Sequence, residues 1–260
     1  MIVTLLTDFG FEDEYVGVLK GVIHGINPSS TLIDISHQVI PGDVLKAGWM
    51  LSWSWSYFPE GSIHIAVVDP GVGSSRKILC CVHKKHFFLA PDNGLLSPLL
   101  DGVKQPVVYS ITNRNYMLKS ISRTFHGRDI FAPIAGHLSK GVSISRLGAR
   151  LRTGIKRLKL TQPRVGKGSF SGRIIGFDRF GNAVTNLPEN LLEKLKSRRS
   201  LKVLVKRHPL FPIVQAYEEV IPGSPLAVIG SRGLLEISVN GGSAERRLHL
   251  KVGDEISIRG

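Results

Sequence analysis

At 260 residues, with 42% apolar and 21% charged side chains, the chain can bury one large core or two modest ones, and its composition excludes long disorder. Its formal charge of +14 permits contact with nucleic acid or another acidic surface, but charge blocks carry no sequence readout, and a solvated basic face is the plainer reading. The only cysteines, Cys80 and Cys81, are adjacent and ill-suited to an unstrained bridge; with no apolar run near the ~20 residues of a membrane span and no secretory signal, a cytoplasmic protein is expected.

Residues 2–6 form a short apolar run that suits a buried parallel strand and ends in Thr7-Asp8-Phe9-Gly10. Tyr15, Val18, Leu19, Val22, Ile23 and Ile26 recur at helical spacing behind Glu12-Asp13-Glu14, an acidic start that suits the helix dipole. Residues 31–35 read as a second strand. Pro41-Gly42-Asp43 opens a helix carrying Trp49, Trp53 and Trp55. Residues 62–68 read as a third strand, running into Asp69-Pro70-Gly71-Val72-Gly73. This alternation predicts an α/β N-terminal domain with a mainly parallel sheet. Residues 78–82 and 86–89 look like a hairpin around Lys84-Lys85, and residues 127–138 like a helix.

Near residue 150 the character changes. Residues 141–170 hold eight Lys or Arg and no acid, and residues 194–207 hold seven and no acid. Short β-type runs lie at 169–177, 183–187, 201–205, 226–229, 234–239 and 255–258, with one helical segment at 190–197. The expected division is an α/β domain over residues 1–155, a basic linker over 156–168 and an all-β domain, a small barrel or sandwich, over 169–260.

Polar residues collect where such a sheet binds ligands, beyond the carboxyl ends of its strands. Asp8 ends the first strand and Asp69 the third. Asp8 suits the two hydroxyls of a ribose or, equally, the support of a turn. The segment from Asp69 to Arg76 is a glycine-rich turn ending in a cation, without the spacing of a dinucleotide or Walker loop. His126 precedes a helix, where the dipole disfavours its charged form and leaves it able to accept a proton; a structural histidine is the plainer alternative. Asp178-Arg179-Phe180-Gly181-Asn182 has the composition of a hairpin turn. Cys81, His83 and His86 flank a hairpin tip and lack a complete ligand set, so no metal is expected.

Taken together, these motifs resemble the SAM hydroxide adenosyltransferase family, the adenosine-forming hydrolases of S-adenosyl-L-methionine (SAM), related to the SAM-dependent fluorinase and chlorinase. The resemblance rests on Thr7-Asp8-Phe9-Gly10 with Asp13-Glu14-Tyr15-Val16-Gly17, and on Asp69-Pro70-Gly71-Val72-Gly73 with Arg76. It continues through Ala90-Pro91-Asp92-Asn93-Gly94-Leu95-Leu96, Thr124-Phe125-His126-Gly127-Arg128-Asp129, Phe180-Gly181-Asn182 and Ser231-Arg232-Gly233 to Ser243. It implies a homotrimer, with SAM bound between the N-terminal domain of one subunit and the C-terminal domain of the next. SAM would be the substrate, with no cofactor. Asp69, Arg76 and His126 would be the catalytic set; the halogenating relatives carry Tyr where Asp69 stands and lack this histidine. Asp8 would take the ribose hydroxyls, Asp13 and Asp178 the methionine ammonium, and Ser231 and Arg232 the methionine end. Asn182 and the backbone from Val239 to Gly241 would read adenine, with Phe180 packed nearby and Glu236 on the same strand. A halogenase of the same fold, or a nucleic-acid or nucleotide-binding module using the basic stretches, are the alternative functions.

Overall fold

The computed structural model describes residues 1–152, 154–166, 169–193, 201–206 and 211–259. The chain divides into two compact units, Met1–Leu160 and Thr161–Gly260.

The first unit carries strands β1 (Ile2–Thr7), β2 (Thr31–Ser36), β3 (Ile63–Val67), β4 (Ile78–His83), β5 (His86–Pro91), β6 (Val107–Ile111) and β7 (Gly148–Leu151). They form one sheet in the order β2-β1-β3-β5-β4-β6-β7. Only the β1–β2, β1–β3 and β3–β5 pairs are parallel; β4–β5, β4–β6 and β6–β7 are antiparallel. The sheet is therefore mixed, which corrects the expectation of a mainly parallel one. The cause is local: the β4–β5 hairpin turns through Lys84 and Lys85, whose φ angles of 45° and 63° suit a tight reversal, and β6 and β7 then add to the outer edge of β4.

Helices α1 (Tyr15–Ile26), α2 (Val44–Ser54), α3 (Ala132–Ser139) and the short α4 (Ile144–Leu147) complete the unit. Alternate strand residues supply two cores. Val3, Leu5, Ile63, Ile65 and Cys80 pack with Leu19 and Ile23 of α1 and Ile134 and Leu138 of α3. Leu6, Ala66, Cys81 and Phe88 pack with Ala47 and Leu51 of α2. Cys80 and Cys81 thus lie in separate cores, as the period-2 alternation of a strand requires. Asp43 caps α2 by accepting from the Lys46 N–H at 2.9 Å. Trp55 lies just past α2, in a short 3-10 turn, while Trp49 and Trp53 stack on the helix at 5.7 Å.

The helix expected over 127–138 begins instead with a π turn, Gly127–Phe131, before α3. Pro133 lacks the N–H that would bond back to Asp129, and the Asp129 carbonyl accepts the Leu118 N–H at 3.0 Å.

The second unit carries β8 (Arg164–Gly166), β9 (Ser169–Phe177), β10 (Ala183–Pro188), β11 (Lys202–Val205), β12 (Phe211–Val214), β13 (Pro225–Ile229), β14 (Leu234–Val239) and β15 (Glu255–Arg259), with α5 (Glu189–Glu193) and α6 (Ala244–Arg247). Among the described residues the order β10-β14-β13-β12-β11-β15-β9 closes on itself through a β9–β10 pairing, and β8 lies beside β9. The result is a closed seven-strand barrel around Phe170, Ile174, Leu187, Val203, Leu235, Ile237 and Ile256. Closure leaves no long unpaired edge around the ring. Of the helix expected over 190–197, residues 194–197 lie outside the described residues, as does much of the second basic block.

Candidate active site

Five of the residues singled out lie in the first unit. Asp69 follows β3, whose five residues are all buried, so the strand delivers it to the sheet's carboxyl end. Arg76 closes the glycine turn before β4, and His126 stands immediately before the π turn. The fold gathers these three. Arg76 Nε donates to Asp69 Oδ1 at 2.7 Å, and Arg76 Nη2 pairs with Asp69 Oδ2. The same Nη2 lies 3.0 Å from His126 Nδ1. The Asp69 and Arg76 side chains are 4% and 7% exposed, so this is a bidentate pair held almost out of water. Breaking one partner of such a pair is costly because a buried charge is stranded.

The geometry sets the state of His126. A guanidinium only donates, so Nδ1 accepts, and the neutral ring carries its proton on Nε2. Burial pushes the His126 pKa below its ordinary value, and the Arg76 charge pushes the same way; Asp69, Asp129 and a hydrogen bond with the Ser122 backbone offset part of this. Arg76 Nη1 is buried and has no hydrogen-bond partner among the described residues.

Local sequence explains the placement. Gly73 has φ 79°, and a Cβ there would lie 2.3 Å from the Arg123 carbonyl, so the turn approaches the histidine loop only because it is glycine. That loop folds onto Asp129, which sequence reasoning left without a role. Asp129 is fully buried and accepts the Ser122 N–H at 2.7 Å and Arg128 Nε at 2.6 Å. Burial raises its carboxyl, but the bonds from Arg128 and Ser122 outweigh this and hold it below the usual value. Phe125 N–H donates to Ser122 Oγ at 2.9 Å, which fixes the backbone beside His126. The adjacent charges Arg128-Asp129, running straight into the apolar Ile130-Phe131-Ala132, were the available signal for Asp129.

Asp8 leaves β1 with one oxygen committed: Oδ2 accepts the Gly42 N–H at 2.9 Å. Asp13 is exposed just before α1 and makes no hydrogen bond or ion pair among the described residues.

The remaining candidates lie in the second unit. Asp178 organises its own turn: Oδ1 accepts from the N–H groups of Phe180 and Asn182, both at 2.9 Å, and Oδ2 accepts Asn182 Nδ2 at 2.9 Å. One acceptor position remains on Oδ2. Phe180 is 76% exposed at the tip, while Asn182 is buried with its amide oxygen unused by that network. Ser231 and Arg232 are exposed in the turn between β13 and β14. Arg232 Nη1 lies 3.7 Å from Glu236 Oε1. Glu236 is buried, and burial raises its pKa; Arg232 opposes the rise and Asp178 adds to it. A Cβ at Gly230 would lie 2.3 Å from that carboxylate, so a larger residue there would displace the Glu236 side chain. After Val239, the Asn240 N–H and C=O are taken by Ser224 and Gly223, and Gly241 is exposed with φ 69°. Among the described residues no three His, Cys, Asp or Glu side chains group as a metal site, and no helix is long and apolar enough to cross a membrane.

Residues 3–148 match the family model of the SAM hydroxide adenosyltransferase N-terminal domain, and residues 172–257 match that of its C-terminal domain. The (R)-S-adenosyl-L-methionine hydrolase of Salinispora tropica is 35% identical, over 98% of this chain and 97% of its own length. A fluorinase from Actinoplanes sp. is 25% identical, over 99% of this chain and 97% of its own. The crystal structure of a conserved protein of Thermotoga maritima superposes with a TM-score of 0.93 at 40% identity, covering 100% of both chains. With both domains matched in order over most of its length, this chain belongs to the SAM hydroxide adenosyltransferase family.

Proposed function

We propose that this protein hydrolyses SAM to adenosine and L-methionine by in-line attack of water on C5′. The observation that carries the reading is the buried cluster in which Arg76 bridges Asp69 and His126. In the reaction a C5′–O bond forms and the C5′–S bond breaks, and sulfur keeps the electron pair as it leaves in a neutral thioether. The leaving group needs no general acid, so the task of the site is to hold and orient the nucleophile.

Asp69 and His126 are both turned onto the guanidinium, so neither is a free base in this arrangement. The cluster instead supplies a fixed cation to the attacking water, and its buried Arg76 Nη1 is a donor that no protein group uses among the described residues. Partial hydroxide character on that oxygen is favoured by the charge, and the proton passes to solvent water as the new C5′–O bond makes it acidic. SAM is the substrate, and no cofactor enters the scheme.

For binding, Asp8 takes the ribose hydroxyls and Asp13 and Asp178 the ammonium. Ser231, Arg232 and Glu236 serve the methionine end, and Asn182, Phe180 and the peptides from Val239 to Gly241 hold adenine. The working form is a homotrimer in which one subunit's N-terminal domain and the next subunit's C-terminal domain share each substrate. A cytoplasmic setting suits Cys80 and Cys81, free and buried, with burial pushing the Cys81 thiol up to about 12.

The test is product analysis by mass spectrometry after incubating the protein with SAM and chloride in ¹⁸O-labelled water. Adenosine labelled at its 5′ oxygen, with free methionine, is expected. A chlorinated nucleoside would move the protein to the halogenating branch, and intact SAM would overturn the reading.

A further inference from the structure

The Thr7-Asp8-Phe9-Gly10 turn is gripped from beneath by a residue that the scheme above does not use. His37 is fully buried and holds the turn at both ends. Its carbonyl accepts the Gly10 N–H at 2.8 Å, and its Nδ1 lies 2.7 Å from Thr7 Oγ1. Its other nitrogen, Nε2, lies 3.1 Å from Asp34 Oδ1, and Lys20 Nζ donates to Asp34 Oδ2 at 2.6 Å. Nε2 is buried without an aligned hydrogen bond, and the carboxylate facing it at 3.1 Å, which only accepts, favours a proton on that nitrogen. In the neutral ring Nδ1 then takes the Thr7 hydroxyl proton, which leaves Thr7 Oγ1 to accept the Phe9 N–H at 3.3 Å. Five residues beyond His37, the Gly42 N–H fixes one oxygen of Asp8. Residues 37 to 42 are therefore a cradle for residues 7 to 10.

We propose that His37 is a positioning residue for substrate binding: the Lys20–Asp34–His37–Thr7 string holds the turn so that the second oxygen of Asp8 meets the ribose hydroxyls. This rests on the assignment of Asp8 above and adds what aims it. Packing alone does not call for such a string, since replacing both partners of a buried hydrogen bond by apolar groups of similar shape is close to neutral for folding. A string that serves only the core would thus be dispensable to substrate affinity.

The experiment compares wild type with Thr7→Val, Thr7→Ser, Asp34→Asn and the double variant Thr7→Val/His37→Leu. SAM and its 2′-deoxy analogue serve as substrates, and melting temperature monitors the fold. Thr7→Val and the double variant should raise KM for SAM about tenfold, with kcat changed far less. Both should shrink the preference for SAM over the 2′-deoxy analogue, because the ribose hydroxyl is the group lost. Thr7→Ser keeps the hydroxyl and should restore KM. Asp34→Asn, at the outer end of the string and mild for the core, should raise KM about threefold. Removing His37 as well should add little: the KM of the double variant should match that of Thr7→Val, as for members of one unit. Folded Thr7→Val and Asp34→Asn proteins with wild-type KM and wild-type preference would overturn the proposal while leaving the hydrolase reading intact. A wild-type protein inert toward SAM would overturn both.

Discussion

Arg76 is the residue on which the proposed chemistry turns, because its guanidinium is shared by Asp69 and His126 while one donor remains uncommitted. Asp69→Asn weakens the bidentate pair, and His126→Ala strips the acceptor from Arg76 Nη2. Either should lower kcat for SAM hydrolysis by about 10²-fold or more with little change in KM, measured by steady-state kinetics. Equal activity in purified His126→Ala would remove that residue from the scheme. The pH dependence has a definite sign. The folded-state pKa of His126 lies below its ordinary value of about 6.5, so the ring is neutral at pH 7 and charges only as pH falls further. Charging puts a proton on Nδ1 against Arg76. kcat/KM should therefore be level from about pH 7 upward and decline on the acid side with an apparent pKa below about 6.5. The stability that the neutral ring contributes is likewise present above about 6.5 and lost as pH falls. At this scale the sequence named the three residues through family motifs, but it left open whether His126 accepts a proton. Its tautomer follows from a neighbour fifty positions away, which no local pattern encodes.

At the scale of elements, turns aim the side chains that strands deliver. Gly73 lets the turn after β3 touch the loop that carries His126, and its positive φ excludes other residues without strain. Gly73→Ala should destabilise the protein by about 1–3 kcal/mol, seen as a lower melting temperature, and reduce kcat by parting Arg76 from His126. Wild-type kcat in a folded Gly73→Ala protein would show that this approach is unimportant. The strands around the site were legible because β1 and β3 are short and almost wholly apolar. Of those that make the sheet mixed, the β4–β5 hairpin was legible around Lys84-Lys85, and the edge strands were not. β6 is half-exposed and follows Pro106, and β7 reads Gly-Ala-Arg-Leu; each is a strand because a neighbour accepts its backbone bonds. In the second unit, β12 contains Pro212, a residue that argues against a strand in any window that ignores its partner β11.

For the whole molecule, the proposed trimer predicts that light scattering behind size exclusion will report three 28.5-kDa chains, and a monomeric active enzyme would contradict it. The basic stretch before the second unit is partly accounted for. Arg150, Arg152 and Arg157 line a cavity of about 900 Å³ with Lys104, on the edge of the first unit. Composition and periodicity determined the division into an α/β and a β unit, and the motifs determined the family, because both are recorded in short windows of side-chain type. Tertiary structure alone decided that the sheet is mixed, that the barrel closes, that Arg76 bridges Asp69 and His126, and that His37 grips the Thr7 turn. Apart from the β4–β5 and β9–β10 hairpins and the Asp69–Arg76 pair, these depend on hydrogen bonds between residues distant in the chain, whose donors and acceptors look the same in sequence whether or not a partner arrives.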